Sequence, residues 1–428
     1  GNHTIIGGTG AALTTWDSRF GGVDPGVGIS FANIIRGAIQ GDDAYFANLQ
    51  SPVNNRLIGG PNSNYIQGGL GNNTIDGGDS ADRLIGGISH YVSGGHDVIH
   101  GGGGDDIISG GIGGDAILYG DEGNDTIDGG FSRSTIYGGD GNDTIRAGSN
   151  YDSVLMGEAG DDELSVGLTS GNVTLDGGVG NDRLIGTPSS FLQTFVFGSG
   201  YGHDTVEGVT SRAVVSLTAG VVPDDLTLQT NSDGDLLASI NGTSDQLTIH
   251  SYFVQGTYTI TFSDGTIWNR TEVVNRTPGL VVTDTLGGQI VQGSPLADTL
   301  SGPGGNDTLA GGRGGDTYLV ELGHGVTTID DFPDGDNVLV LGQGVTPESL
   351  IISRDTQQGT VVINYGNQGD TIYLPHFDPF NPMNSLGIQT IQFADGTTWD
   401  TAIILSRIPG VVLTDSVGGQ MLQGSPLA

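Results

Sequence analysis

Between residues 59 and 186 one large apolar residue recurs about every nine positions, separated by glycine, aspartate, asparagine and small polar residues. Residues 101–109 (GGGGDDIIS) and 138–146 (GGDGNDTIR) show the unit, G-G-x-G-x-D-x-U-x, with U the apolar residue. Each half of the unit has a physical job. Glycine allows a tight turn with left-handed backbone angles. U buries in a thin core, and the aspartate supplies a hard anionic oxygen. Two units make one coil, so the period predicts a solenoid of stacked coils. No long amphipathic helix is visible; residues 30–48 are the best candidate for a short one.

The same patterning divides the chain. Residues 1–58 are an irregular start with an insertion carrying Trp16, Phe20, Phe31 and Phe46. Residues 59–186 are the main solenoid. Residues 187–292 read as a strand-rich accessory module and linker, and 293–319 as a short solenoid with units at Gly293, Gly302 and Gly311. Residues 320–409 read as a second strand-rich module. The modules are copies: PDDL at 223–226 matches PESL at 347–350, and FSDGTIW at 262–268 matches FADGTTW at 393–399. Their Asp-Gly pairs signal hairpin turns, and residues 225–229 and 360–364 have strand patterning. The fold class is therefore all-β: right-handed parallel β-roll segments alternating with β-rich modules. Residues 410–428 repeat residues 279–297 almost word for word, and read as the start of a further tandem repeat in a longer protein.

Alternate units of the solenoid share an edge. On one edge, units beginning at Gly77, Gly101, Gly120, Gly138, Gly157 and Gly177 place Asp82, Asp106, Asp125, Asp143, Asp162 and Asp182 at their sixth positions. The opposite edge has Asn73, Asp97, Asp115, Ser134, Asp152 and Asn172, with insertions and missing glycines, a partly degraded series. Coils stack about 4.8 Å apart. Like charges at that spacing repel by roughly 3 kcal/mol per pair at an effective dielectric near 20. Such a row needs a cation between its members. Carboxylate and carbonyl oxygens on flexible turns, with no nitrogen or sulfur ligand, select Ca2+ over zinc or magnesium. In the short solenoid Asp298 and Asp316 share an edge, while Asp307 lies on the other, with Asp330 or Asp331 as the candidate to complete it.

Composition sharpens this picture. The 428 residues include 79 glycines, and the formal net charge is −36. Such a chain repels nucleic acid and anionic membrane surfaces and attracts divalent cations. No apolar run is long enough to span a bilayer. With no cysteine, neither disulfides nor thiolate metal sites can staple the fold.

The GGxGxD units resemble the RTX, or haemolysin-type, calcium-binding β-roll. The modules ending FSDGTIW and FADGTTW resemble the haemolysin-type calcium-binding-protein-related domain. That resemblance implies an ion between same-edge turns, held by sixth-position carboxylates and by carbonyls of the first four positions. Carried over, Asp106 with Gly102 and Gly104 faces Asp125 with Gly120 and Glu122. Likewise Asp125 with Asp121 and Gly123 faces Asp143 with Gly138 and Asp140.

Other constellations have plainer readings. His90, His96 and His100 decorate an insertion, and Trp268 and Trp399 recur as core positions. There is no His-Glu-x-x-His and no G-x-S-x-G, so zinc-protease and lipase motifs are absent from these residues. The expectation is a non-enzymatic, secreted bacterial protein that folds on extracellular calcium. It would form part of a tandem-repeat adhesin, surface layer or fibre, with self-association through exposed sheet ends. The alternative is the non-catalytic region of a secreted polysaccharide-active enzyme.

Overall fold

A computed structural model describes residues 54–411, apart from 88–94, 150, 168–170, 209–211, 256–257, 285–286, 334 and 367–368. It also describes strands at 3–6, 34–39, 42–46, 413–414 and 421–422. The chain forms two compact units, residues 1–227 with 238–270, and residues 228–237 with 271–428.

The first unit is a parallel β-solenoid in which successive strands alternate between two sheets. A long-strand sheet stacks Asn55–Ile58, Asn73–Gly78, Asp97–Gly103, Ile112–Glu122, Phe131–Asp140, Ser153–Ala159, Val173–Val179, Gln193–Phe197, Ala213–Leu217 and Tyr258–Thr261 in parallel. A short-strand sheet stacks Asn64–Gln67, Arg83–Ile85, Ile107–Ser109, Thr126–Asp128, Thr144–Arg146, Glu163–Ser165, Arg183–Ile185, His203–Glu207 and Gln246–Ile249, also in parallel. The U residues form two facing columns. Leu57, Ile75, Ile99, Leu118, Ile136, Leu155, Leu175 and Phe195 point inward from one sheet. Ile66, Leu84, Ile108, Ile127, Ile145, Leu164, Leu184 and Val206 point inward from the other, all at most 1% exposed. Each coil thus buries few large side chains, and its turns carry much of the burden of holding coils together.

Two expectations about boundaries change. The parallel stack does not stop at residue 186: Gln193–Phe197, His203–Glu207 and Ala213–Leu217 are full members of it. Residues 34–39 and 42–46 form antiparallel strands, not a helix, because β-branched and aromatic residues cluster there. Trp16, Phe20 and Phe31 lie outside the described residues. The stack ends in an antiparallel hairpin, Tyr258–Thr261 with Ile267–Trp268. Its Asp-Gly turn is closed by Phe262 N donating to Thr266 O at 2.9 Å.

The second unit repeats the plan on a smaller scale. Val281–Thr283, Thr299–Ser301, Thr317–Val320, Val338–Leu341 and Thr390–Phe393 stack in parallel, followed by antiparallel Thr398–Asp400. The facing sheet runs Ile290–Gln292, Asp307–Ala310, Val326–Ile329 and Asp370–Leu374, then turns antiparallel through Thr360–Tyr365 and Ile351–Asp355. Trp268 and Trp399 are each 4% exposed, edge-on to Phe262 and Phe393 at 4.6 and 5.0 Å. Both are hairpin core. Of the segment expected to open another repeat, only Leu413–Thr414 paired with Met421–Leu422 is described.

Candidate metal centre

Each ladder aspartate sits at the end of a glycine turn, one residue before its short strand. Stacking of the turns places the aspartates in one row. The backbone N–H of each donates to Oδ1 of the next: Asp82 to Asp106 at 2.6 Å, and Asp106 to Asp125, Asp125 to Asp143 and Asp143 to Asp162 at 2.7 Å. Asp162 to Asp182 follows at 2.8 Å. All six are at most 4% exposed. In every one the second oxygen, Oδ2, is buried without a hydrogen-bond partner. Fixing one oxygen aims the other, so these orphaned oxygens share one direction.

That direction is occupied by nothing but glycine. A Cβ built on Gly77, Gly101, Gly120, Gly138 or Gly157 would lie 2.2–2.4 Å from its own turn's Asp Oδ2. It would also lie 2.3–2.6 Å from the carbonyl oxygen of the equivalent glycine in the next coil. A carboxylate and a carbonyl oxygen thus crowd the side-chain position of each first glycine, one from its own turn and one from the next coil. Side chains are excluded from this point, which accounts for glycine at the first repeat position. The donor set is all hard oxygen, and it fits calcium.

Burial acts first and foremost to push these carboxyls up: Asp82, Asp125, Asp143 and Asp182 to about 6, Asp162 to about 7 and Asp106 to about 8. Neighbouring carboxylates add to the rise at Asp106, Asp125 and Asp162. Ionising the row without a counter-charge is costly in this setting.

The carbonyl-bearing positions are also brought together. Asp121 is in register with Gly102 and with Gly139, and Glu122 with Asp140. Gly102, Gly104 and Gly123 adopt φ of 104°, 97° and 136°, and Asp121 takes 72° in the glycine place. The carbonyls of Glu122 and Asp140 accept inter-coil bonds from Gly104 and Gly123, each at 2.8 Å, which leaves each oxygen one lone pair.

The row extends further than the motif does. Asp182 N donates to Asp204 Oδ1 at 3.0 Å, and Asp204, 1% exposed, also has an unpartnered Oδ2. Burial pushes its carboxyl up to about 8. Counting glycines missed it because its turn reads SGYGHD, with serine at the first position. The parallel phrase GHDTV beside GNDTI was the available signal.

The opposite edge differs from the expectation. The register partner of Asp97 is Ala116, followed by Ser134, and the next coils present Ser153 and Val173. Asp115, Asp152 and Asn172 each fall one residue short of the inner slot. The units beginning at Gly110 and Ala147 carry one extra residue and the unit at Val166 carries two, so Asp115 and Asp152, sixth in their units, and Asn172, seventh in its unit, all stop one short. Asp115 faces outward, 3.4 Å from His96 Nδ1. Asp152 and Asn172 belong to an exposed outer row, with Asn172 N donating to Asp152 Oδ1 at 2.7 Å. None of the three adjoins a buried, unpartnered carboxylate.

In the second unit Asp298 N donates to Asp316 Oδ1 at 2.8 Å, and Asp316 Oδ2 is buried without a partner. A Cβ on Gly293 would lie 2.3 Å from Gly311 O and 2.6 Å from Asp298 Oδ2, as in the first unit, but here Asp298 Oδ2 also accepts from Ser294 N. This pair precedes strands of the sheet that ends in the Trp399 hairpin. The first unit's row precedes strands of the sheet without the Trp268 hairpin, so the acidic edge has changed sides between the copies. Asp307 stacks on Thr327, not on Asp330 or Asp331. Asp331 instead accepts from Tyr318 and from Asn337, and Asp330 pairs with His376 at 3.2 Å. His100 Nδ1 lies 3.1 Å from Asp121 Oδ2; His90 is outside the described residues. Among the described residues no histidines and carboxylates cluster as a transition-metal site.

A parallel β-roll with a one-sided row of cation-accepting turns defines a class of calcium-binding solenoid. The family comparisons agree. The RTX calcium-binding nonapeptide repeat signature matches residues 58–90, 91–117, 119–154, 169–188 and 285–324. The haemolysin-type calcium binding protein related domain matches residues 235–272 and 360–402. The chain therefore carries RTX calcium-binding nonapeptide repeats and haemolysin-type calcium-binding-related domains. No curated protein sequence matches it. Among solved structures it is similar to the extracellular lipase LipA from Serratia marcescens, at 14% identity and a TM-score of 0.17. That match covers 69% of this chain and 44% of the lipase.

Proposed function

We propose that this chain is a secreted, non-enzymatic structural segment whose roll closes when calcium is available. The observation that carries the reading is the unbroken run of buried, unpartnered Oδ2 atoms from Asp82 to Asp204. Bound calcium would supply positive charge and several coordination positions for oxygen. The chain's own part is to hold its carboxylates in register through the inter-coil N–H···Oδ1 bonds. Its glycine turns keep side chains out of the points where oxygens converge. Without a counter-charge, repulsion and desolvation along the row oppose stacking, and the chain stays loose, a state suited to export through a narrow channel. Millimolar calcium outside the cell then contributes free energy to folding by mass action.

The repeated segments at 279–297 and 410–428 favour an extended tandem array, as in a surface adhesin, surface layer or fibre. Among the described residues no helix is long and apolar enough to cross a membrane. Far-UV circular dichroism of the chelated protein tests the reading. Adding calcium should convert a largely disordered spectrum into a β-rich one, reversibly. A spectrum already fully β-rich in chelator, unchanged by calcium, would overturn it.

A further inference from the structure

Not every turn of the first unit presents an orphaned carboxylate. Two early turns of the first unit carry asparagine at the ladder position, and their amides are placed unlike ordinary surface amides. Asn64 is 5% exposed, and its Nδ2 donates to Gly60 O at 3.2 Å, to Asn62 O, to Gly77 O at 3.5 Å and to Asp82 Oδ1 at 3.2 Å. Asn73 is 1% exposed, and its Nδ2 donates to Gly69 O at 3.0 Å, Gly71 O at 2.8 Å and Asp97 Oδ1 at 2.8 Å. In each case the oxygens are carbonyls of the second and fourth turn positions together with the stacked aspartate. Asn64 also reaches Gly77 O, a first-position carbonyl of the kind that faces Oδ2 in the aspartate-bearing turns.

The orientation of these amides is fixed by their other atom. Asn73 Oδ1 accepts from Gly69 N at 3.2 Å and from Asn55 Nδ2 at 2.8 Å, and Asn64 Oδ1 accepts from Gly60 N at 3.2 Å. Flipping either amide would set oxygen against oxygen. The consequence for the stacked carboxylate is visible at Asp97. Its Oδ1 accepts from Asn73 and its Oδ2 from Gly87 N at 2.6 Å, so neither oxygen is orphaned. The second unit ends its row in the same way. Asn337, fully buried, accepts from Asp316 N at 2.9 Å through Oδ1. Its Nδ2 donates to Asp331 Oδ2 at 2.7 Å, Gly387 O at 2.9 Å and Phe332 O at 3.0 Å.

We infer that the side-chain amides of Asn64 and Asn73 stand in for a cation. The turns they close take no calcium, so the coils at residues 55–87 form a metal-independent seed on which the calcium-dependent coils at 101–185 stack. An –NH2 group offers two N–H donors to oxygens that would otherwise repel, and it is neutral, so it needs no ion to compensate burial. The carboxylates of the later coils have no such donor at Oδ2. In a solenoid each coil is stabilised chiefly by its neighbours, so a pair of already closed coils lowers the cost of adding the next coil. This inference rests on the calcium-dependent reading of the aspartate row.

Hydrogen exchange read by mass spectrometry, on the full chain in EGTA and in calcium chloride, separates the two. In EGTA, amides of Asn55–Ile58, Asn64–Gln67 and Asn73–Gly78 should exchange at least about tenfold more slowly than those of Thr126–Asp128, Thr144–Arg146 and Glu163–Ser165. Calcium should raise protection mainly in the latter. Equal exchange of both sets in EGTA, with an equal gain in calcium, would overturn the seed while leaving the calcium reading intact. No response to calcium anywhere would defeat the calcium reading itself. As a second test, Asn73→Asp should bind one more calcium by isothermal titration and lose its early-coil protection in EGTA. An unchanged ion count and unchanged protection would show that the amide was not replacing a cation.

Discussion

Asp125→Asn should change stability in opposite directions with and without calcium. Asp125 is 1% exposed, its Oδ1 accepts from Asp106 N at 2.7 Å, and its Oδ2 is orphaned. Burial pushes its carboxyl from 3.8 to about 6. A rise of about two units corresponds to about 3 kcal/mol of opposition to the ionised form in the metal-free roll above pH 6. Asparagine has the same shape. Its Oδ1 can keep the Asp106 bond while its Nδ2 points at the Gly138 carbonyl, as Asn64 Nδ2 does at Gly77 O, 3.5 Å away. In EGTA at pH 7.5 the variant should therefore gain up to about 3 kcal/mol. In calcium it should lose stability, because Asp125 is shared between the interval from Asp106 and the interval to Asp143. Urea unfolding followed by circular dichroism in both conditions measures this, with titration calorimetry to count ions. Asp105→Asn, an exposed residue whose Oδ1 accepts from Asn124 N at 2.9 Å, is the control and should change stability by less than about 0.5 kcal/mol in either condition. Destabilisation of Asp125→Asn in EGTA, or equal stability in calcium, would refute the reasoning.

Three further outcomes follow from the same geometry. Acid should partly replace calcium. The ladder carboxyls are raised in the fold, so their opposition to folding is absent below about pH 4, grows through pH 6, and is complete above about pH 8; in EGTA, β-structure by circular dichroism should therefore increase on lowering the pH from 8 to 5. Gly120→Ala should abolish calcium binding at its turn, since the new methyl would lie 2.2 Å from Asp125 Oδ2 and 2.3 Å from Gly138 O while Gly120 needs no positive φ; calorimetry should show fewer ions. Trp268→Ala should cost about 3–5 kcal/mol in calcium by loss of packing on Phe262, measured by urea unfolding, with the ion count unchanged.

Much of this was legible in the sequence because one period couples core and ligand. The spacing that puts Ile108, Ile127 and Ile145 in one column also puts Asp106, Asp125 and Asp143 in one row. Where units keep nine residues, counting locates the side chain. It fails where a turn holds an extra residue, because the extra length bulges outward while the strand register is kept; Ala116 therefore takes the slot expected for Asp115. It fails again at Asp204, where Ser199 replaces the first glycine although the turn still stacks through the Gly180–Gly202 bridge. The exchange of edges between the two units has no local signature, because it depends on which sheet carries the terminal hairpin. The amide clasps were also illegible, since an asparagine in the sixth place reads as a weakened ligand until its donors are seen among carbonyl oxygens.

The central claim is that cations line one edge of the first unit and not the other. Anomalous diffraction from crystals grown in calcium, collected at long wavelength, tests it most directly. The account predicts peaks between successive members of the row Asp82, Asp106, Asp125, Asp143, Asp162, Asp182 and Asp204. It predicts none between Asn64 and Asp82, or along Asn73, Asp97, Ala116, Ser134 and Ser153. Peaks on both edges, or none along the aspartate row, would contradict it.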